Sequence, residues 1–297
     1  MGTYSVNVDP SLMVHYKNLL EKENCVFSYP QYTFFCAKTN LWQFTFYKSG
    51  KVVIQGKEID DAVKKFFDDK FGQEINSSGE IAPYPHIGID ESGKGDFFGP
   101  LVIAGCFLTE KNAEKLKLKG VIDSKKLDDK KILSLSDDIK TCSIFDIVVI
   151  GNKKYNELYD KFKNLNRLLA WGHSTVLENI LNKTNCTIAI SDKFADESVI
   201  KNALKDKGKT IKLLQQTKAE SDTAVAAASI LARAEFVKRI SSLSQKYEIN
   251  LPKGAGQNVL EQGEKFIQKF GIEELINVSK THFKTYSALK TSQKTLF

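Results

Sequence analysis

The stretch HIGIDESGKGDFFGP, residues 86–100, decides how this chain is read. Ile87 and Ile89 alternate with small or polar residues, and the run ends in adjacent Asp90 and Glu91. A glycine turn, Gly93-Lys94-Gly95, follows. A short apolar run bounded by turn residues predicts a strand. Adjacent anions repel, and an ordinary turn needs no such pair. A hard divalent cation does need it, because its ligands are oxygens supplied mainly by carboxylates. On a regular strand the two side chains face opposite ways. At a strand end beside Gly93, twist is expected to bring both to the rim of one cleft.

The same stretch nearly matches a phosphate-binding loop, since Gly88, Gly93 and Lys94 fit the first seven positions of G-x-x-x-x-G-K-[ST]. The eighth position is Gly95, so the hydroxyl that would hold magnesium is missing. Asp90 and Glu91 lie inside the loop and would repel phosphate. Pro100 hinders the helix such a loop feeds. The phosphate-loop reading is set aside.

Phosphodiester hydrolysis is commonly run by two cations about 4 Å apart, held by acids gathered from distant parts of a chain. Asp192 ends the apolar run CTIAIS, with Asp196 and Glu197 as competitors. Asp222 begins the small-residue segment DTAVAAASILARAEF, where an acid is also the most ordinary helix cap. Each acid alone reads as structural. The joint pattern of an acid pair at a glycine turn, an acid after a later strand and an acid at a helix start points to a metal site.

Around this centre the chain divides in two. Breaks at Ser77, Ser78, Gly79, Pro83 and Pro85 suggest a linker, with the boundary near residue 80. Residues 1–80 read as a small α+β unit. A helix capped by Asp9 with Pro10 carries Leu12, Tyr16, Leu19 and Leu20 on one face. Strands YTFFCAK and WQFTFYKSGKVVIQG follow, the second with a hairpin at KSGK. Its Trp42, Phe44 and Phe46 point one way, and Gln43, Thr45 and Tyr47 the other. A last helix places Ile59, Val63, Phe66 and Phe67 together. Residues 81–297 alternate strands with helices. HIGIDE, PLVIAGCFL, FDIVVIG, CTIAISD and KTIKLLQQT are the strands, and KNLNRLLAWGHSTVLENILNK and SDTAVAAASILARAEFVKRISSLSQKY are the main helices. This predicts an α/β sheet covered by helices.

Composition sets the bounds. The chain has 297 residues, 42% hydrophobic and 27% charged, with a net charge of +7. That is a soluble globular profile with room for a polyanionic partner. Five scattered cysteines without C-x-x-C, and four histidines without zinc spacing, argue against disulfides or structural zinc and for a reducing cytoplasm. The sequence shows no signal-peptide pattern and no apolar run long enough to span a bilayer. Nothing resembles a coiled-coil seam, so a monomer is expected.

Four motifs stand in order: GIDESGKGDFFGPLVIAG from Gly88, DSKKL from Asp123, ISDKF from Ile190 and KAESDTAVAAASILARAEF from Lys218. On these the chain resembles the type 2 ribonucleases H. The resemblance implies a mixed ribonuclease H-like sheet flanked by helices, and a metal site of Asp90, Glu91, Asp192 and Asp222 with two Mg2+, or Mn2+ in their place. It also implies cleavage of the RNA strand of RNA–DNA hybrids, leaving 3′-hydroxyl and 5′-phosphate ends. Ribonucleases HII carry G-R-G after the acid pair and a later G-Y-G whose tyrosine reads a single ribonucleotide junction. Here Lys94 and Ala255 (in PKGAGQN) stand at those places. Both departures, and KTHFKT at 280–285, resemble ribonuclease HIII. That branch carries an N-terminal domain resembling the TATA-binding protein, used to grip the hybrid, and residues 1–80 are of suitable size.

The resemblance implies substrate contacts from Gly93, Lys94 and Gly95, whose glycines let backbone approach a 2′-hydroxyl. Ser124, Lys125 and Lys126 join them, and Lys253 and Lys284 are candidates for phosphate. Lys201, Lys205, Lys207, Lys209 and Lys212 read as a solvated face. His173, His282 and Trp171 read as packing residues or supports for metal ligands. Two alternatives stay open: a ribonuclease HII-like excision of single ribonucleotides from DNA, and a nucleic-acid-binding protein without catalysis. Substrate choice decides the first, and loss of metal-dependent cleavage the second.

Overall fold

The computed structural model describes residues 2–8, 13–23, 25–66, 84–121, 124, 127–193, 199–200, 203–204, 207–216 and 219–294. The chain forms two compact units, Met1–Pro83 and Tyr84–Phe297.

The first unit is an antiparallel five-stranded sheet with helices packed on its apolar face. Its elements are β1 (Gly2–Asn7), α1 (Met13–Glu21), β2 (Val26–Ser28), β3 (Thr33–Lys38), β4 (Trp42–Tyr47), β5 (Lys51–Gly56) and α2 (Ile59–Phe66). The strand order is β1-β5-β4-β3-β2. Period-two alternation sets the register. Phe35 pairs with Phe46 and Ala37 with Phe44, and these side chains are buried with Val52 and Ile54. Tyr16 and Leu20 from α1, and Ala62 and Phe66 from α2, close over them. The KSGK hairpin forms as expected, with Gly50 at φ 87° and its N–H donating to Tyr47 O. One expectation is corrected. The unit opens with a strand, β1, which pairs with β5 from Gly2↔Gly56 to Asn7↔Lys51. GTYSVN is too short and polar to announce itself, and its place is set by its partner strand. The expected Asp9–Pro10 cap, Leu12 and Phe67 lie outside the described residues.

The second unit is a mixed sheet between helices. Its strands are β6 (His86–Ser92), β7 (Leu101–Leu108), β8 (Ile144–Ile150), β9 (Ile188–Asp192) and β10 (Lys212–Gln216), in the order β10-β9-β6-β7-β8. β7 runs antiparallel to both β6 and β8, whereas β9 lies parallel to β6 and β10 parallel to β9. Between strands run α3 (Glu110–Leu118), α4 (Asp129–Cys142), α5 (Asn152–Phe162) and α6 (Leu165–Leu181). A long helix, Thr223–Tyr247, and helices Gln257–Phe270 and Lys284–Lys294 follow. Ribonuclease H-like layering was expected of this sheet, and it is present.

Each face of the sheet has its own core. Ile87, Ile89, Leu101 and Ile103 pack against α6 through Leu169, Val176 and Ile180. Val102, Ala104 and Cys106 pack against the long helix. Its alanines, Ala224, Ala226, Ala227 and Ala228, are all buried and let it lie close on β6 and β7. Gly88 makes that approach possible. A Cβ there would stand 2.1 Å from Ala224 C and 2.2 Å from Val225 N. Because β6 and β9 are parallel, Ile89 pairs with Ser191, and the strand ends carrying Asp90 and Asp192 come side by side. The open ends of adjacent parallel strands are where α/β sheets bind ligands. Among the described residues, no helix is long and apolar enough to cross a membrane, and all five cysteines are free.

Candidate active site

A cavity of about 310 Å³ opens at these strand ends. It is lined by Asp90 to Gly95, Ser124, Asp192, Val225, Ser229 and Arg233. The strand alternation holds through the acid pair, so the two carboxylates leave β6 toward opposite layers and still line one cavity. Asp90 accepts from the Ser229 hydroxyl on the long helix. Its Oδ1 also accepts the Glu91 N–H at 2.8 Å. Glu91 meets α6, where His173 Nε2 lies 3.0 Å from Glu91 Oε2. Lys94 Nζ donates to Glu91 Oε1 at 3.3 Å. The turn needs its glycine. Gly93 has φ 90°, and a Cβ would stand 2.2 Å from Pro100 O.

The two acids are pushed apart electrostatically. Burial, then the neighbouring Glu91, drives the Asp90 carboxyl up to about 7, and Asp192 adds to the rise. Burial also acts to raise Glu91, but hydrogen bonds and charge from His173 and Lys94 outweigh it and hold Glu91 below its ordinary value. A buried carboxylate whose proton affinity is raised by its neighbouring acids marks a site short of positive charge. The donors, Asp90, Glu91 and Asp192, are oxygen ligands of the kind Mg2+ and Mn2+ take. Among the described residues, no three ligating side chains converge tightly enough to cage an ion. The fit is therefore one of donor chemistry and charge.

Asp222 stands apart from the other three acids. It is fully buried and does not line the cavity. Its Oδ1 accepts the Val225 N–H at 2.9 Å and caps the long helix. Its Oδ2 lies 2.8 Å from Nε2 of the equally buried His86, whose ring stacks on Tyr84 at 4.3 Å. Just before Asp222, the 3₁₀ turn Ala219–Ser221 packs against β9.

Of the expected substrate contacts, Gly93, Lys94, Gly95 and Ser124 line the cavity. Lys125 and Lys126 lie outside the described residues, as do Asp196, Glu197, Lys201 and Lys205. Lys253 pairs with Asp129 at 2.8 Å rather than standing free. His282 stacks on Tyr159 at 4.1 Å, away from the cavity.

Arg233 and Ser229 escaped the sequence reading. Val225, Ser229 and Arg233 repeat every fourth residue and so share one stripe of the long helix. That spacing was the available signal. Arg233 Nη1 donates to Ser124 O at 2.6 Å and Nη2 to Asp129 Oδ1 at 3.3 Å, and the Ser124 and Ser229 hydroxyls are 2.7 Å apart. Lys280 was missed as well. It is a fully buried lysine whose Nζ donates to Asp96 O at 2.8 Å and Gly99 O at 2.6 Å. It ties down the loop that follows the glycine turn.

Comparison with known proteins agrees with this geometry. A family profile described as Ribonuclease HII matches residues 87–286, and a domain of unknown function (DUF3378) matches residues 6–78. A ribonuclease HIII of Protochlamydia amoebophila is 44% identical over 273 residues, 91% of each chain. One of Chlamydia pneumoniae is 43% identical over 292 residues, 96% of this chain and 97% of that one. The crystal structure of Bst-RNase HIII in complex with Mn2+ superposes with a TM-score of 0.71 at 27% identity, covering 99% of this chain and all of that one. Ribonuclease H2 from Pyrococcus horikoshii covers only 70% of this chain, with a TM-score of 0.61 at 25% identity. With the acid pair, the glycine turn and the strand order all in place, the chain belongs to the ribonuclease HII family of type 2 ribonucleases H and within it is most like ribonuclease HIII.

Proposed function

We propose that this metal-dependent ribonuclease cuts the RNA strand of RNA–DNA hybrids within runs of ribonucleotides, leaving 3′-hydroxyl and 5′-phosphate ends. The observation that carries this is the meeting of Asp90, Glu91 and Asp192 with the Gly93-Lys94-Gly95 turn around one cavity. Two divalent cations, Mg2+ or Mn2+, would be held there. When bound they supply an activated water and a counter-charge for the departing oxygen.

The chain's own residues have distinct tasks. Ser229 orients Asp90, and His173 orients Glu91, as hydrogen-bonded supports do for ligating carboxylates. Gly93 and Gly95 bring backbone amides and carbonyls close enough to test a sugar for its 2′-hydroxyl. Ser124 is fixed by Arg233 at the other wall. The fourth carboxylate of the expected set, Asp222, lies outside the cavity lining, bonded to the Val225 N–H and to His86. The first unit would add grip through phosphate contacts from its sheet, with a steep salt dependence.

The test is cleavage with Mg2+ of two end-labelled duplexes, one with a ribonucleotide run paired to DNA and one with a single ribonucleotide in DNA. The proposal expects cutting of the first alone. Efficient cutting of both would favour single-ribonucleotide excision and deny Ala255 a role in substrate choice. In the same assay Asp222→Asn at equal folded concentration tests whether Asp222 belongs to the metal site, which a near-complete loss of cleavage would support. Full activity in Asp222→Asn would leave that residue to the helix cap alone.

A further inference from the structure

We propose that Lys94 is a tethered counter-ion on Glu91, which the phosphates of an incoming hybrid draw away, so that substrate engagement frees a carboxylate oxygen for the cation. The inference rests on the metal-site reading above and deepens it.

Both oxygens of Glu91 are occupied, by partners of opposite character. His173 is 3% exposed on α6 and holds Oε2 at 3.0 Å from the sheet's interior side. Lys94 is 41% exposed, sits in the glycine turn three residues on, and holds Oε1 at 3.3 Å. The first partner is built into the core. The second hangs on a four-carbon stem at the mouth of the same cavity. The other cation lining the cavity, Arg233, is committed to Ser124 and Asp129. From the elements packed around Glu91, the charged or titratable groups facing it are Asp90 on β6, His173 on α6 and Lys94 in the turn. Asp192 faces Asp90 from β9.

An ammonium and a divalent cation cannot share one carboxylate oxygen without repelling each other. In the substrate-free protein Lys94 offsets part of the crowded negative charge, and in doing so opposes cation entry at Oε1. A hybrid brings phosphates to the turn, which compete for the same ammonium. Moving Lys94 onto phosphate removes the opposition. Cation and hybrid then favour each other's binding, and by linkage the effect is reciprocal. The Lys94 ammonium reaches solvent, where an ion pair is worth little, so the coupling is modest, roughly two- to fivefold in affinity.

The test is Mn2+ binding to the full chain without nucleic acid, followed by the electron paramagnetic resonance signal of free Mn2+. Wild type is compared with Lys94→Met, Lys94→Arg and Asp192→Asn. The proposal expects Lys94→Met to bind Mn2+ roughly two- to fivefold more tightly, a gain that damage to the fold would not produce. Lys94→Arg, with a cation restored on the same tether, should return toward wild type. Equal or weaker binding by Lys94→Met, or equally tight binding by Lys94→Arg, would overturn the counter-ion role and leave the metal site standing. Mn2+ binding that Asp192→Asn does not weaken would instead overturn the metal-site reading itself.

Discussion

Replacing Asp90 by asparagine should stabilise the catalytic unit at neutral pH and leave it unchanged in acid. Burial and Glu91 raise the Asp90 carboxyl from 3.8 to about 7 in the folded protein. Between those values the folded state holds a proton that the unfolded state has released, so stability from this group falls as pH rises. It is full below 3.8 and gone above 7. Each unit of the shift is worth about 1.4 kcal/mol, which gives a difference of roughly 2.5 kcal/mol between pH 5 and pH 8. Asparagine carries no such linkage. The stability of Asp90→Asn relative to wild type should therefore climb by roughly that amount across the window and flatten above it. The assay is urea unfolding in chelator at several pH values. Trp171 fluorescence in a Trp42→Phe background reports the second unit alone. A divalent cation should then stabilise wild type at pH 8 far more than Asp90→Asn, because binding needs the ionised carboxylate. A constant offset between the two proteins from pH 5 to 8 would refute the argument that Asp90 is an acid held at the cost of stability.

Other expectations follow from the same geometry. Burial lowers the Lys280 ammonium to about 7, so the unfolded state binds more protons above that value and wild-type stability should rise with pH relative to Lys280→Met. The gain is about 1.4 kcal/mol per unit between pH 8 and 9 by urea unfolding. His173→Ala should weaken Mn2+ binding roughly tenfold, the cost of losing a ligand's support, while His173→Gln, which keeps a donor toward Glu91, should recover part of it in calorimetry. Removing residues 1–83 should raise KM for a hybrid far more than it lowers kcat, as steady-state cleavage would show. An unchanged KM would remove the gripping role.

The sheet and the acid pair were legible because their signals are local. Ile87 and Ile89 with Val102 and Cys106 alternate as strands must, and Asp90, Glu91 and the glycine turn are contiguous. Asp192 was readable for the same reason, as an acid closing an apolar run. Asp222 was legible only as an acid at a helix start, because an N-cap and a metal ligand look alike in one dimension. Only the fold shows its carboxylate turned to the helix amide and to His86. His173 reaches Glu91 across 82 residues of sequence, and Lys280 reaches Gly99 across 181. No periodicity encodes such a pairing, since it exists only once α6 and the segment after Leu275 have packed. β1 was missed because a six-residue strand takes its identity from β5, nearly fifty residues away.

Whether the phosphodiester is broken at this cavity is tested by cleavage of an end-labelled RNA–DNA hybrid with Mg2+ by wild type and Asp192→Asn, with hybrid affinity measured by fluorescence anisotropy on both. Wild type is expected to cut within the ribonucleotide run, and Asp192→Asn to bind the hybrid equally well but scarcely cleave it. Full cleavage by Asp192→Asn would contradict that expectation, because a cavity walled by Asp90, Glu91 and Asp192 would then not be where the phosphodiester is broken.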